Sequence, residues 1–423
     1  MAAALLALAA SAMAAVGVAA AANPWSYTGF PLASGSPVFA LAVSPQDQNT
    51  VLAGTQSGDI YKSTNDGQSW SEVAQEGTAI WTIEASPTQP GLDLAGATGM
   101  VLRSTNGGSN WSPATGLPPG PIRAFAFTSS GIFAGTYEGV YQSIDGGATW
   151  RSDGLASYSI DALAVAANGA PPVIVAGGDE STTKVGLPLF RSSDGGNSWS
   201  TVGALPQNGG RLVSVAAAGP ALPDGIVPVL IGTNTGAFLS TDGGGSWAAL
   251  GSLPAEDFSG AAFNMTNANF MYLASDGGAT NENGGLWRST SNGASLSLLS
   301  SGFPSGSVTA LAVGAAAQPR VYAAVWSTTS QAVYLLTWVD NGPLPSAPPP
   351  APKLPASPKP AAHASLGGMA ALLASLQRAS SVLVVLAALA GLALVLALST
   401  LAQRLGRSHR GGPTVPPDRG SQA

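Results

Sequence analysis

Few residues of this chain have side chains suited to catalysis, and most of those few are carboxylates. The chain contains no cysteine and only two histidines, His363 and His409. The lack of cysteine excludes a disulfide framework, an iron–sulfur cluster and a thiol nucleophile. Both histidines lie beyond residue 340, which excludes a Ser-His-Asp triad and a histidine metal site from the first 340 residues.

Two carboxylates, Glu84 and Asp161, are candidates for a catalytic pair, because glycoside hydrolysis uses two carboxyl groups that flank the sugar bond. A carboxylate in a small apolar slot has to be paired, hydrated or functional, since burying it unpaired is expensive. A hydrated acid is the simpler interpretation of Glu84, and no catalytic residue is assigned. Glu84 occupies a repeat position at which four other units have alanine: Ala42, Ala126, Ala164 and Ala312.

Residues 276–283 are rich in oxygen-bearing side chains, as a calcium site would require. They lack the spacing of a recognised calcium loop, so an ordinary polar loop is the better interpretation. No metal site and no cofactor are predicted.

An octet of residues recurs along the chain and indicates how the candidate residues are positioned. It follows the pattern S-x-[DN]-x-G-x-[STN]-W, and successive copies start 41, 39, 49 and 48 residues apart. A degenerate sixth copy starts 49 residues later, at Ser289. This period is typical of a four-stranded propeller blade. The five good copies start at Ser63, Ser104, Ser143, Ser192 and Ser240.

The repeats predict an all-β fold, a seven-bladed propeller over residues 23–340. Each unit opens with an apolar strand, and the octet supplies the turn before the fourth strand, since glycine tolerates positive φ and aspartate binds nearby amides. The seventh unit lacks an octet. The segment that starts at Trp25 resembles the end of unit two, so we expect an N-terminal strand to complete the last blade and close the ring. The units begin near Val38, Ile80, Ile122, Ile160, Leu212, Phe258 and Val308.

The octets resemble the Asp-box, or BNR, repeat of sialidases, sortilins, xyloglucanases and photosystem II stability/assembly factors. The resemblance covers residues 25–340 and is greatest to the assembly-factor group, which implies a single, non-catalytic propeller outside the cytoplasm. In this family the box lies away from the ligand face. The resemblance therefore implies turn-stabilising aspartates and packing tryptophans, with a sugar-stacking ladder as the alternative for the tryptophans. These residues are Asp145, Asp194, Asp242, Trp70, Trp111, Trp150, Trp199 and Trp247.

Sialidase chemistry, as the family implies, needs an arginine triad that holds the substrate carboxylate. Arg103, Arg191 and Arg288 all directly precede an octet, at a repeat position shared with Lys62 and Gln142. A structural role for these arginines is therefore more economical. The non-catalytic interpretation is favoured, and glycan binding or glycoside hydrolysis is the alternative.

Positions at which the repeat varies are the candidates for binding a partner. The second residue of each inner strand lies near the mouth of the channel in a propeller, and the loops after the second strands open onto the same face and commonly carry function. The inner strands supply Phe39, Trp81, Arg123, Asp161, Val213, Ser259 and Thr309. The longest loops supply Asp179, Glu180, Lys184, Asp276 and Glu282.

Charge divides the chain into an acidic body and a basic end. Residues 23–340 carry nine Lys and Arg against 21 Asp and Glu, whereas residues 341–423 carry seven basic residues and one acidic residue. The acidic body argues against nucleic acid as a partner. Residues 379–403 carry no charge and are long enough to cross a bilayer as a helix. The arginines that follow place a short basic tail, residues 404–423, in the cytoplasm.

The remaining segments complete a membrane topology. Residues 1–22 resemble a secretory signal peptide cleaved near Ala22, although the missing basic n-region leaves an uncleaved anchor open. The Pro- and Ala-rich residues 341–378 predict an extended stalk. We expect a single-pass membrane protein whose propeller lies outside the cytoplasm. Its C-terminal helix contacts the lipid bilayer, and the channel mouth binds or helps assemble an extracytoplasmic or membrane protein, with a glycan as the alternative partner.

Overall fold

A computed structural model describes most of residues 25–340 of this protein. The described ranges are 25–31, 35–179, 189–202, 205, 213–219, 221–222, 225–251, 253, 257–277, 284–299 and 303–340. The chain divides into two units, Met1–Lys353 and Leu354–Ala423, and all of these ranges belong to the first. The predicted signal peptide, stalk, membrane helix and cytoplasmic tail lie outside the described residues. Within these ranges, no helix has the length and apolar character needed to cross a membrane.

Strand β1 (Ser26–Tyr27) is followed by six groups of four strands, and each group forms an antiparallel sheet in chain order. We number these sheets as blades 1 to 6. Blade 1 contains β2 (Val38–Val43), β3 (Val51–Thr55), β4 (Asp59–Ser63) and β5 (Ser71–Gln75). Blade 2 contains β6 (Ile80–Ala85), β7 (Asp93–Ala97), β8 (Val101–Ser104) and β9 (Ser112–Pro113). Blade 3 contains β10 (Ile122–Thr128), β11 (Gly131–Thr136), β12 (Gly139–Ser143) and β13 (Arg151–Ser152).

The next three blades have the same order, from the inner strand outwards. Blade 4 contains β14 (Ser159–Ala167), β15 (Val173–Asp179), β16 (Leu189–Ser192) and β17 (Ser200–Thr201). Blade 5 contains β18 (Val213–Ala218), β19 (Val229–Thr233), β20 (Gly236–Ser240) and β21 (Ala248–Ala249). Blade 6 contains β22 (Asp257–Asn264), β23 (Asn267–Gly277), β24 (Leu286–Ser289) and β25 (Ser297–Leu298).

The N-terminal strand closes the ring by completing the seventh blade. Strand β1 pairs antiparallel with the last strand of the propeller, so that Ser26 faces Thr337. Next to this pair, the ring of Trp25 lies 5.6 Å from that of Trp338, between centroids. The all-β, seven-bladed fold and its closure by an N-terminal strand are confirmed. The other strands of blade 7 are β26 (Ser307–Val313), β27 (Arg320–Ser327) and β28 (Ala332–Val339).

The hydrophobic core lies between the blades and leaves the axis of the ring open. Seven clusters of buried apolar side chains occur among the described residues, and each joins two neighbouring blades. In the cluster between blades 1 and 2, Leu52 and Ile60 pack with Ile80 and Ala95. Because apolar burial is the main stabilising term, each blade depends on both of its neighbours.

The octet forms a hydrogen-bonded turn between the third and fourth strands. In blade 3, the Ser143 hydroxyl accepts the Gly147 N–H at 2.8 Å and donates to Asp145 Oδ1 at 2.8 Å. Asp145 also accepts the hydroxyl and the backbone N–H of Thr149, at 2.6 and 2.9 Å. These hydrogen bonds from Thr149 hold the pKa of Asp145 down to about 2. Asp194 and Asp242 make the same bonds in blades 4 and 5.

The tryptophans that end the octets pack between blades. Each ring belongs to the apolar cluster that its own blade shares with the preceding one. In the first three blades the indole N–H is also donated to the carbonyl of an octet glycine, at 3.0 to 3.2 Å. The rings are therefore committed to inter-blade contacts, at the end of the propeller opposite the start of the inner strands. The five residues are Trp70, Trp111, Trp150, Trp199 and Trp247.

The arginines that precede the octets also make inter-blade contacts. Arg103 donates from Nε to the Gly146 carbonyl of the next blade at 2.7 Å, and Arg191 does the same to Gly243 at 2.8 Å. Arg288 forms a buried ion pair with a carboxylate that follows the last strand, 2.6 Å from Nη2 to Oδ1 of Asp340. These three side chains hold blades together and do not converge on one anion site.

Some neighbouring blades approach so closely that the second strand has a glycine where the next inner strand crosses it, whereas blades 6 and 7 have Ala274 and Ala324 there. A Cβ atom built on Gly96 would lie 2.4 Å from the carbonyl oxygen of Ile122, the first residue of the next inner strand. A Cβ on Gly135 would lie 2.6 Å from the carbonyl oxygen of Ile160. Backbone atoms cannot yield as a flexible side chain can, so glycine at this position sets the spacing between blades.

Replacing Gly96 with alanine should lower the free energy of unfolding by about 1–3 kcal/mol, because the added methyl overpacks a backbone contact. Chemical denaturation of the two proteins measures the difference. Gly251→Ala is the matched control, since a Cβ there meets no atom within 4 Å. Equal losses of stability in the two variants would contradict the role assigned to Gly96.

Candidate functional site

A β-bulge near the start of every inner strand places one extra residue at the mouth of the central channel. In blade 3, Ile122 faces Thr136 and Ala124 faces Gly135, so Arg123 between them has no partner across the strand pair. All seven inner strands show this shift. A bulge residue is not held by the ladder and can be re-aimed. The seven bulge residues are Phe39, Trp81, Arg123, Asp161, Ser214, Ser259 and Thr309.

The expectation for blade 5 was wrong by one residue. Val213 faces Thr233 and Val215 faces Gly232, which makes Ser214 the bulge residue in place of Val213. Leu212 and Val213 are both apolar, so the sequence of the inner strand alone does not fix its register. The pairing with β19 decides it, because Gly232 lies opposite the residue that follows the bulge, as Gly135 does in blade 3.

The bulge residues of four consecutive blades form one continuous row of contacts. The rings of Phe39 and Trp81 stack with centroids 5.4 Å apart and an interplanar angle of 13°. The guanidinium carbon of Arg123 lies 4.5 Å from the centroid of Trp81. Arg123 Nε in turn lies 3.3 Å from Oδ1 of Asp161. We call these four residues the bulge row.

Both faces of the Trp81 ring are covered within this row. Phe39 belongs to blade 1 and Arg123 to blade 3, so they reach the indole from the two blades that flank its own. The indole N–H is donated to Thr98 Oγ1 at 3.0 Å. Stacking, cation–π attraction and this hydrogen bond together fix the orientation of the ring. Trp81, which is partly exposed, therefore offers a ligand mainly the edges of its ring.

Arg123 is the exposed cation of the bulge row. Its side chain is 40% exposed, whereas that of its ion-pair partner Asp161 is 11% exposed. In the part of the chain that the structure describes, the two Nη atoms of Arg123 make no hydrogen bond to protein. The stacked guanidinium can thus donate to carbonyl or carboxylate oxygens of a ligand, with little loss of side-chain entropy on binding.

The other side of the mouth has a different construction. Ser259 Oγ donates to the carbonyl of Val308, and Thr309 Oγ1 donates to the carbonyl of Val38 at 2.6 Å. Each hydroxyl thereby joins its blade to the first residue of the bulge site in the next blade. The hydroxyl groups of these two bulge residues link blade 6 to blade 7 and blade 7 to blade 1. The bulge row, in contrast, presents larger side chains to the cavity.

Two cavities occupy the channel and meet at a ring of mostly apolar side chains. The upper cavity measures about 450 Å³ and is bounded in part by six of the bulge residues, those of all blades except blade 5; the lower cavity measures about 530 Å³ and is lined mainly by aliphatic and aromatic side chains. Both cavities are lined by Leu41, Glu84, Phe125, Leu163, Ala261 and Leu311, which we call the waist.

Glu84 is the charged residue of the waist. Its side chain is exposed to the open space of the channel, and partial desolvation by the surrounding blades raises its pKa to about 7. Asp161 lines the upper cavity as well, at the mouth, where it is engaged by Arg123. The two predicted candidate carboxylates thus border the same cavity at different levels and in different electrostatic surroundings.

The loop residues predicted to bind a partner fall into two groups. Asp276 lines the upper cavity, together with Asp257, which the sequence analysis did not single out because no repeat position marks it. Asp179 ends β15, and its side chain is outside the described residues. Glu180, Lys184 and Glu282 also lie outside them. Among the described side chains, no group of three or more metal-ligating residues occurs.

No protein-family model matches the sequence, and no curated protein matches it. Among solved structures, the chain is similar to a GH74 xyloglucanase from Xanthomonas campestris, at 16% identity and a TM-score of 0.55. The match covers 74% of this chain and 55% of the xyloglucanase, so the chain spans about half the length of that enzyme. At this identity the likeness concerns the fold alone.

Two further solved structures match the propeller over nearly their whole length. A structure of YCF48 bound to a D1 peptide is 15% identical, with a TM-score of 0.52, and the match covers 75% of this chain and 97% of that one. A structure of U3-55K is 13% identical, with a TM-score of 0.55 and coverage of 75% and 98%. These likenesses also show the fold alone, a seven-bladed propeller.

Replacing Glu84 with alanine should stabilise the protein at about pH 8 and change little at about pH 5. Folding raises the pKa of Glu84 from 4.5 to about 7, so the folded state binds the proton more tightly than the unfolded chain. The wild type therefore loses stability as the pH rises between these two values, and the variant lacks this loss. Thermal unfolding midpoints measured across this range check the prediction. An unchanged pH dependence in Glu84→Ala would contradict it.

Proposed function

We propose that this protein is a non-catalytic β-propeller that binds a polypeptide partner at the upper mouth of its channel. The observation that carries the proposal is the bulge row, in which side chains from four blades form a fixed surface on one side of the upper cavity. The row combines the edges of two aromatic rings with an exposed guanidinium. Aromatic residues and arginine are the residue types that dominate the binding energy of protein interfaces.

The covered faces of Trp81 favour a polypeptide over a glycan. A sugar ring binds an aromatic side chain by laying its C–H groups on an open face. Phe39 and Arg123 occupy the two faces of Trp81, so a sugar would have to displace one of them. A polypeptide can instead pack apolar side chains against the ring edges and offer carbonyl oxygens to Arg123.

The carboxylates of the site do not favour catalysis. A retaining or inverting glycosidase needs one carboxyl group that is a proton donor and a second that faces the sugar. Glu84, with a pKa of about 7, has the character of a donor. Asp161, the second carboxylate, is engaged by Arg123 and is only 11% exposed, so little of it is presented to a sugar in the channel. Glycoside hydrolysis is therefore the competing hypothesis that the experiment below has to exclude.

The cellular setting in this proposal derives from the sequence. We propose that residues 1–22 direct the chain out of the cytoplasm and that residues 379–403 anchor it in the membrane, followed by a basic cytoplasmic tail. Residues 341–378 then act as the stalk that carries the propeller. In this arrangement the partner is an extracytoplasmic protein or the exposed part of a membrane protein, which the propeller binds or helps to assemble.

Arg123→Gln and Trp81→Ala should each weaken binding of the partner by about 2 kcal/mol or more, as truncation of a central interface residue does. The two losses should not add, because the side chains touch and Trp81 holds the guanidinium in place. The full chain is purified from detergent-solubilised membranes, co-purified proteins are quantified by mass spectrometry, and the same samples are applied to a glycan array. Binding to the identified partner is then measured for the two variants and the double variant.

Arg151→Gln is the matched control, since Arg151 is an exposed arginine whose guanidinium binds Gln142 on the outer part of blade 3. It should bind the partner like the wild type, and all variants should show the same unfolding midpoint within error. A partner that binds equally well to Trp81→Ala and Arg123→Gln would refute the proposal. So would glycan binding, or glycan hydrolysis lost in Glu84→Gln.

A further inference from the structure

The register of the inner strands isolates Glu84 in its ring of blades. Glu84 faces Leu94 across its strand pair, three residues after the bulge, and every other inner strand has alanine at the equivalent position. Four of these alanines are evident from the repeats in the sequence, and the strand pairing adds Ala217 and Ala262. The seven residues therefore place one carboxylate at a level where the other six blades have only a methyl group. The six alanines are Ala42, Ala126, Ala164, Ala217, Ala262 and Ala312.

No described residue neutralises this carboxylate. Glu84 accepts no hydrogen bond and forms no ion pair within the described ranges, and the other residues of the waist are apolar. An ionised carboxylate that has apolar neighbours and no protein partner depends on channel water alone for its solvation, which is less favourable than solvation at an open surface. The raised pKa has the same cause. A cation placed beside Glu84 would remove this cost, whereas an alanine at the position would have avoided it.

The charges of the upper cavity favour entry of a cation from the mouth. Among the described residues that line this cavity, three aspartates (Asp161, Asp257 and Asp276) stand against one arginine, Arg123. Carboxylates that outnumber cations in a partly enclosed space attract positively charged ligands. The lower cavity differs, since Asn168 is its only polar side chain besides Glu84 among the residues that line it.

We propose that the upper cavity receives a lysine side chain of the polypeptide partner, whose ammonium group forms an ion pair with Glu84 at the waist. This inference rests on the proposed function, because it assigns the group that the partner inserts. The unbranched alkyl stem of lysine can lie along Leu41, Phe125 and Leu163, and its compact charge matches one carboxylate. An arginine side chain would match this site less well, because its guanidinium carries five N–H donors and a single carboxylate can accept only some of them.

Three probes test the inference on the full chain in detergent micelles: n-butylammonium, n-butanol, and Nα-acetyl-lysine N-methylamide. The protein is labelled with ¹³C at its glutamate carboxyl groups, and binding is followed by NMR at about pH 8, where Glu84 is ionised. Both ammonium probes should shift the Glu84 resonance and bind about tenfold more tightly than n-butanol, as expected for a hydrogen bond to a charged group. The lysine derivative should bind more tightly than n-butylammonium, because its amide oxygens can reach Arg123.

Two variants locate the site. Glu84→Gln should weaken both ammonium probes about tenfold while leaving n-butanol unchanged. The double variant Glu84→Ala with Ala126→Glu moves the carboxylate to the equivalent position of the next blade, and it should regain most of the ammonium binding. Unfolding midpoints confirm that each variant is folded.

Several outcomes would overturn the inference. These are no ammonium binding to the wild type, equal binding to Glu84→Gln, or equal binding of n-butanol and n-butylammonium. Equal affinity for n-butylammonium and the lysine derivative would assign the cavity to free amines and reject a lysine side chain. A partner that needs Trp81 and Arg123 but not Glu84 would leave the proposed function standing and refute this inference alone. Ammonium binding at Glu84 without any polypeptide partner would refute the proposed function, and with it the assignment of the ammonium group to a lysine of the partner.

Discussion

The close approach of one blade to the next is the constraint on which this structure depends. The second strand of a blade has to lie against the backbone of the following inner strand, and Gly96 and Gly135 permit contacts that a Cβ atom would prevent. The seven interfaces between blades bury the apolar side chains, and β1 is needed to complete the last blade. The octets and the arginines before them bind the same neighbours from the opposite end. The contacts that stabilise the fold therefore lie between the blades. The residues that face the central channel are less constrained by packing.

The side chains that face the central channel are not fixed by packing between blades, and this explains why the candidate binding residues lie there. At the bulge, an extra residue leaves the ladder, so its side chain is not dictated by packing between blades. Blades 1 to 4 use this freedom for Phe39, Trp81, Arg123 and Asp161, which contact one another because consecutive blades bring consecutive bulges side by side. Three residues after the bulge, six of the inner strands have alanine, and these small side chains leave room in the channel for the side chain of Glu84. One geometric rule thus produces both the bulge row and the waist.

The sequence predicted the parts of this architecture that repeat. The octets indicated seven blades, the copy at the N-terminus indicated the closing strand, and six of the seven mouth-lining positions were recognised from their variation between units. The contacts within the bulge row could not be predicted, because they depend on the distance between neighbouring blades, which no pattern along a single strand encodes. Val213 was placed wrongly for a similar reason, since two adjacent apolar residues fit the inner strand in either register. Asp257 gave no signal, because it precedes the first buried residue of its strand as an ordinary loop residue would.

The central claim is that a polypeptide contacts the bulge row, and site-specific photo-crosslinking tests it most directly. Phe39→p-benzoylphenylalanine places a photoreactive ring in the row of the full chain in its native membrane. Ile144→p-benzoylphenylalanine is the control, since Ile144 is 73% exposed in an octet at the opposite end of the propeller. We expect a discrete protease-sensitive adduct from position 39 that disappears with Arg123→Gln and is absent from position 144. The same adduct from both positions, or an adduct at position 39 that is carbohydrate, would contradict it.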